Sequence, residues 1–156
     1  MRFDTVFDVT QQGAGDAKWL LIALPVVAAA VVLTALNKRI KSIIPAVIAW
    51  ILCASVLLWS VATGFNLIVA SGRLKAELKK NHCEVTEGLI TDIEPMPYEG
   101  HQYEKIHLAG KLFYYSDYIK SPGFHQSISH GGPLRVGQYV RIHHVGNDIA
   151  RIEIGR

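Results

Sequence analysis

Residues 42–72 read SIIPAVIAWILCASVLLWSVATGFNLIVASG and contain no charged side chain. An earlier run, WLLIALPVVAAAVVLTALN at residues 19–37, is also free of charge. A helix that crosses a bilayer needs about 20 consecutive apolar residues. Both runs are apolar on every side, which is typical of helices surrounded by lipid or by a large protein, and the rest of this chain is too small to bury them. We therefore predict two transmembrane helices, at residues 19–37 and 43–65.

The second apolar run contains two pairs of small residues spaced four apart, Ala49 with Cys53 and Ser60 with Gly64. Small residues at this spacing let two helices approach closely. The pairs predict that this helix contacts either the other predicted span or another subunit.

Basic side chains flank the apolar runs. The loop at residues 38–42 is basic and has no acid, whereas residues 1–18 carry three acidic and two basic side chains. Cytoplasmic loops are enriched in Lys and Arg, which favours a cytoplasmic loop and a periplasmic C-terminal domain. The four basic residues at 73–80, just past the second run, favour the opposite orientation. The formal net charge is +3, but the basic residues cluster at the predicted membrane edges. They therefore indicate the lipid bilayer as a partner and predict no nucleic-acid surface. The flanking basic residues are Lys38, Arg39, Lys41, Arg73, Lys75, Lys79 and Lys80.

The periodicity of the chain changes after residue 82. Residues 66–81 keep helical spacing with a basic face, which predicts a linker helix lying along the membrane interface. From Cys83 onward apolar and polar residues alternate, and Gly or Pro separates about five such runs. Residues 1–18 are then an N-terminal tail and residues 82–156 a small β domain. The predicted fold class is an α+β membrane protein, with a two-helix transmembrane hairpin and a small antiparallel, barrel-like domain of about five strands.

A polar loop, SPGFHQSISHGGPLRVG at residues 121–137, is the candidate interaction site of this domain. Its Gly and Pro residues are typical of turns, but long loops are uncommon unless they function. Serine near histidine also suggests a membrane-anchored hydrolase, yet neither G-x-S-x-G nor a phosphate-binding motif is present, and we predict no catalytic residue. The candidate interaction residues are Phe124, His125, Ser127, Ser129 and His130.

Histidines are frequent in the C-terminal part and suggest metal binding or pH sensing as an alternative function. Their spacing matches no standard zinc pattern, and the adjacent His143 and His144 should face opposite sides of a strand. We therefore predict no metal ion and no cofactor. Six of the seven histidines lie between residues 101 and 144: His101, His107, His125, His130, His143 and His144.

Residues 84–154 resemble an uncharacterised family of small bacterial inner-membrane proteins with two transmembrane helices and a C-terminal small β domain. The resemblance rests on EGLITDIEPMPYEGH, on FYYSDYIKSPGFHQSISHGGPLRVGQYVRIHH and on IARIEI. More loosely, the domain is similar to the OB-like barrels that follow membrane helices in nodulation-efficiency-type proteins. The resemblance implies a multi-pass protein of the bacterial inner membrane, but no activity and no functional residue.

The sequence thus predicts a membrane-anchored protein that is not an enzyme. Its β domain is expected to act as an interaction or assembly module, either as an accessory subunit of a membrane complex or by self-association into a homo-oligomer. A protein partner and the lipid bilayer are the expected partners.

Overall fold

The computed structural model describes residues 2–12, 25, 27–29, 31–32, 34–35, 44–119 and 121–156. It divides the chain into two compact units. One comprises Met1–Gln12 with Leu67–Arg156, and the other comprises Gly13–Asn66.

A single long helix, α1, covers Ile44–Lys79. Its 36 residues correspond to about 54 Å at 1.5 Å per residue. Val47–Lys79 is long and apolar enough to cross a membrane, and only 17% of its most apolar stretch is buried. Among the described residues this is the one helix of sufficient length and apolarity, so the predicted hairpin of two such helices is not found there. Most of the first predicted span, residues 19–37, lies outside the described residues, although those described between 25 and 35 have helical backbone.

One face of the first part of α1 is covered. Cys53, Ser60 and Gly64 are buried on this face, and the Trp50 Nε1–H donates a hydrogen bond to Thr34 Oγ1 at 2.9 Å. The opposite side carries large apolar residues that stay exposed, among them Leu58 and Trp59. The small pairs predicted for helix contact therefore contribute three of their four residues to the covered face.

The other unit contains six antiparallel strands in the order β1-β6-β5-β2-β3-β4. About five strands were predicted, and the additional one is β1, which comes from the predicted N-terminal tail. Backbone pairing does not close the sheet, because β1 and β4 are its two edges. The strands are β1 Phe3–Asp8, β2 Glu84–Glu94, β3 Glu104–Leu108, β4 Lys111–Tyr115, β5 Tyr139–Val145 and β6 Asp148–Gly155.

Strand β1, with the sequence FDTVFD, is held in the sheet by antiparallel pairing with β6, and the register shifts between Thr5 and Phe7. Asp8 accepts hydrogen bonds from Arg151 Nε at 2.8 Å and from the backbone N–H of Thr10 at 2.7 Å. Burial alone would raise the pKa of Asp8, but the hydrogen bonds from Thr10 and the charge of Arg151 lower it. Phe7 packs against both apolar clusters of this unit. The N-terminal strand is thereby an integral part of the β domain.

Strand β2 bends the sheet around its core. Its first half pairs with β5 and its second half with β3, and the register shifts between Ile90 and Asp92. The bend is typical of a β-bulge, which increases local twist. The residues it encloses form the main core: Ile90, Ile106, Leu108, Phe113, Tyr115, Phe124, Leu134, Val140, Ile142, Ile149 and Ile152.

The last turns of α1 pack on the β domain. Leu74 and Leu78 are buried against Val9 and Ala150, and Lys75 Nζ donates to the backbone carbonyl of Gln12 at 2.7 Å. The segment predicted as an interfacial linker is thus continuous with α1 and uses part of its apolar stripe for the domain core. Of the predicted membrane-flanking cations, Arg73, Lys79 and Lys80 are exposed, whereas Lys38, Arg39 and Lys41 lie outside the described residues.

Side chains cover the free edge of β4. Asn147, in the turn between β5 and β6, accepts a hydrogen bond from the Tyr114 backbone N–H at 3.1 Å and donates to its carbonyl at 2.6 Å. An amide side chain can satisfy a strand edge in this way without a further strand. At the start of β4, Lys111 pairs with Glu84 at 3.0 Å.

Candidate interaction cleft

The predicted loop connects β4 to β5 and contains a short 3-10 helix, Ile128–His130. Two glycines let the loop lie close against other backbone. A side chain at Gly123 would clash with Ile149, whose carbonyl accepts the Phe124 N–H at 3.0 Å. A side chain at Gly132 would clash with the Ser127 carbonyl, which accepts the Gly132 N–H at 2.7 Å. The loop is consequently an ordered, packed segment.

A partly buried cluster around Asp117 fixes the first half of the loop. The Asp117 carboxylate accepts a short hydrogen bond from the Ser127 hydroxyl, a second from the Ser127 N–H at 2.6 Å, and a third from His130 Nδ1 at 2.7 Å. Burial would raise the pKa of Asp117, but these hydrogen bonds and the nearby imidazole lower it. The carboxylate is therefore charged at neutral pH.

The same three residue types form the triad of serine hydrolases, but the arrangement here differs. In a triad the histidine faces the carboxylate with one ring nitrogen and the serine with the other. Here His130 Nδ1 lies 2.7 Å from Asp117 and 3.1 Å from Ser127 Oγ, so one nitrogen faces both groups. Ser127 is fully buried, and its hydroxyl donates to Asp117 rather than to a base. Such a cluster positions the loop and leaves no activated serine nucleophile at this position.

A second buried carboxylate, Glu104 on β3, holds the 3-10 helix. It accepts hydrogen bonds from the Ile128 N–H at 3.0 Å and, at short range, from the Tyr115 hydroxyl. Burial, the hydrogen bond to Glu104 and its negative charge raise the pKa of Tyr115. The Tyr115 hydroxyl therefore keeps its proton and donates a hydrogen bond to Glu104. Through Glu104, the 3-10 helix of the loop is attached to β3 and β4.

The five predicted interaction residues divide into two groups. Phe124 belongs to the buried core, Ser127 is buried in the Asp117 cluster, and Ser129 is half-buried with its hydroxyl 3.1 Å from Ser127 Oγ. Only His125 and His130 are exposed. The structure therefore leaves the two imidazoles available for contact and uses the other three side chains to build the loop.

A cleft of about 420 Å³ lies beside these two histidines. Phe7 and Phe124 contribute apolar walls, and their rings meet edge to face at 5.1 Å. Most of the other lining residues are polar and lie outside the five predicted positions. The lining residues are Phe7, Gln12, Asp117, Tyr118, Phe124, His125, Gln126 and His130.

Sequence reasoning missed the contribution of the N-terminal segment to this cleft. Phe7 and Gln12 reach it only because β1 pairs with β6. The alternation of Phe3 and Phe7 with Asp4 and Asp8 is a strand signal, but nothing local identifies the partner strand. Asp117 was recognisable only as a polar residue following β4.

The two exposed histidines have fixed orientations. His125 Nδ1 lies 3.0 Å from the Gly123 carbonyl, and His130 Nδ1 contacts the Asp117 carboxylate. Both partners are acceptors, so each Nδ1 carries the proton. In the neutral ring the remaining nitrogen, Nε2, is then a hydrogen-bond acceptor.

Exposed aromatic rings extend the surface beside the cleft. The Tyr98 ring lies 5.1 Å from the His130 ring, and the Tyr118 ring stacks on His101 at 5.2 Å. Tyr98 and Tyr118 are both largely exposed. Exposed tyrosines of this kind are enriched at protein interfaces.

The adjacent His143 and His144 face opposite sides of β5, as the strand period requires. His144 is fully buried, with Nε2 at 3.0 Å from Thr86 Oγ1 and 3.3 Å from Lys111 Nζ. Over the described ranges, no three His, Cys, Asp or Glu side chains come together as a metal site. Cys53 and Cys83 are both unpaired thiols.

Compared with protein-family models, with curated proteins and with solved structures, the chain matches none.

Proposed function

We propose that this chain is a multi-pass protein of the bacterial inner membrane and that its β domain is a non-enzymatic interaction module. The observation that carries the proposal is the cleft beside His125 and His130, held on a rigid loop and bordered by exposed tyrosines. The resemblance of residues 84–154 to a family of small inner-membrane proteins supports the location.

The exposed apolar surface of α1 supports membrane insertion. Large side chains such as Trp50, Leu58, Trp59 and Phe65 stay exposed along the part of the helix that has no charge. Exposed apolar area costs roughly 25 cal/mol per Å² in water. Lipid or another membrane helix is the environment that removes this cost.

The pairing of β1 with β6 supports an even number of membrane crossings. The two strands share one sheet, so residues 8 and 84 belong to the same domain and lie on the same side of the membrane. If α1 crosses once, a second crossing must lie between Asp8 and α1. Residues 19–37 form the other charge-free run of sufficient length, and we assign the second crossing to them.

The covered face of α1 supports the same hairpin. Its small residues are buried and Trp50 bonds to Thr34, a residue of the first apolar run. Close packing over small residues is the usual contact between membrane helices. The basic loop at 38–42 then faces the cytoplasm, which puts the β domain in the periplasm.

The geometry of the polar loop supports binding over catalysis. Ser127 is buried and donates to the Asp117 carboxylate, and the His130 nitrogen beside it is Nδ1, which itself donates to Asp117 and so cannot accept the serine proton. The accessible groups are instead aromatic rings, imidazoles and an amide. Rigid aromatic side chains with adaptable polar neighbours are typical of protein contact surfaces. The partner is either a subunit of a membrane complex or a second copy of this chain.

Site-specific photo-crosslinking in intact membranes tests the proposal. A photoreactive amino acid at Gln126, on the rim of the cleft, should give one defined adduct, either with another protein or with a second copy. The same group at the exposed Asp92 on β2 is the matched control and should give none. The adduct at residue 126 should weaken when Tyr118→Ala is introduced. Equal crosslinking from both positions, or none from residue 126, would contradict a binding role of the cleft.

A further inference from the structure

We propose that the cleft receives the guanidinium group of an arginine side chain from a protein partner. This inference rests on the proposed interaction function and names the chemistry of the partner at the same site.

The charge of the cleft favours a cation. Asp117 is its one charged lining residue among the described positions, and no Lys or Arg lines it. Asp117 Oδ1 accepts one hydrogen bond, from the Ser127 N–H, and a carboxylate oxygen can accept two. Lys75 donates to the backbone carbonyl of the lining residue Gln12 at 2.7 Å, and Arg135 donates to the loop carbonyls of Gly132 and Leu134, so both cations are already bound to backbone. An anionic ligand would therefore meet a carboxylate, whereas a cation gains a charge-assisted contact.

The polar groups of the cleft are mainly acceptors. Because the Nδ1 atoms of His125 and His130 already donate to Gly123 and Asp117, both neutral rings present Nε2 as an acceptor. Gln126 adds an amide held only by a long 3.5 Å contact to the Gly131 carbonyl. A ligand that donates several hydrogen bonds and accepts none is complementary to this set. Arginine has five such donors in a planar fork.

The walls of the cleft favour arginine over lysine. Phe7, Phe124 and Tyr118 offer aromatic surface, and the guanidinium plane stacks on aromatic rings more readily than a compact, strongly hydrated ammonium does. The same stacking occurs elsewhere in this domain, where the Arg141 guanidinium carbon lies 3.9 Å from the centre of the Phe3 ring.

Titration of the full-length protein in lipid nanodiscs with N-acetyl-arginine amide tests the inference. We expect a dissociation constant on the order of 1 mM for so small a ligand. Binding is measured from the chemical-shift changes of Tyr118 and His125. The citrulline analogue keeps the shape without the charge and should bind about tenfold more weakly or worse.

Charge changes on the rim provide variants that leave the loop intact. Gln126→Lys should weaken arginine binding and Gln126→Glu should strengthen it, each by about three- to tenfold at low salt. Asp92→Lys, remote from the cleft, should change nothing. Equal affinity for arginine and citrulline would overturn the inference. Binding only to vesicles that contain phosphatidylethanolamine, insensitive to the variants at residue 126, would overturn it in favour of a lipid amine.

The outcomes separate this inference from the proposed function. If residue 126 crosslinks to a partner but arginine and citrulline compete equally for the cleft, the interaction role stands and the guanidinium assignment fails. If arginine binds as described but no adduct forms in membranes, the ligand chemistry stands and the proposed module lacks its partner.

Discussion

Glu104 joins the candidate loop to the sheet through two buried donors, the Tyr115 hydroxyl and the Ile128 N–H. We expect Glu104→Ala to lower the unfolding free energy by about 2–4 kcal/mol, because it leaves both donors without an acceptor. Hydrogen exchange at the Ile128 amide should accelerate in the same variant. Glu94→Ala removes an exposed partner of Lys105 and should leave stability unchanged. Equal effects of the two substitutions would show that Glu104 does not hold the loop.

His144 should make the β domain sensitive to acid. Burial, and then the nearby Lys111 ammonium, lower the pKa of His144 despite the opposing charge of Glu84. The unfolded chain takes up a proton at this residue near pH 6.5, whereas the folded chain does so only at lower pH. Stability present above pH 6.5 is thus lost as pH falls towards the folded pKa, by at most about 1.4 kcal/mol per pH unit.

Unfolding midpoints measured at pH 7.5 and 5.5 check this expectation. His144→Gln should flatten the difference between the two midpoints relative to the unmodified protein. His107→Gln, a change at a partly exposed histidine, should preserve it. If the difference between the two midpoints is unchanged in His144→Gln, groups other than His144 cause the pH dependence.

At the scale of elements, β1 decides whether the N-terminus is a tail or part of the domain. Phe7 packs against both apolar clusters, so Phe7→Ala should cost about 2–3 kcal/mol, less than the value for a fully buried phenylalanine. Val6→Ala, on the neighbouring and more exposed position, should stay within about 0.5 kcal/mol. Chemical denaturation followed by near-ultraviolet circular dichroism measures both. If neither substitution changes the unfolding free energy, β1 does not contribute to the stability of the fold.

At the scale of the whole molecule, the proposed membrane hairpin predicts that residues 8 and 84 lie on the same side of the membrane, because β1 and β2 belong to one sheet. In a background with both Cys53→Ser and Cys83→Ser, single cysteines at Gln11 and Glu99 should react with a membrane-impermeant maleimide from the same side. A cysteine at Arg39 should react from the other side. We expect the first two to be accessible from the periplasm in intact cells. Opposite accessibility of residues 11 and 99 would rule out the hairpin.

Local patterns predicted much of this molecule. The charge-free run at residues 42–72 predicted α1, since an apolar run of more than about 20 residues is typical of a helix that crosses a membrane. Period-two alternation predicted β2 to β6, since each of these strands shows one face to the core. The polar loop at 121–137 was predicted as the candidate site, and it borders the cleft.

Long-range contacts determined the rest. Asp8 pairs with Arg151, 143 positions away, and this pairing makes the tail a strand. The carboxylates of Asp117 and Glu104 accept hydrogen bonds from Ser127 and from the Ile128 N–H. These bonds keep Ser127 buried, while His125 and His130 stay exposed.

The sequence by itself therefore determined which segments are apolar enough to cross a membrane and which form strands, because hydropathy and its period are properties of neighbouring residues. Only the tertiary structure decided that the N-terminus completes the sheet and that two of five candidate side chains are accessible. Burial and hydrogen-bond partnership depend on residues far apart in the chain, and no local pattern contains them.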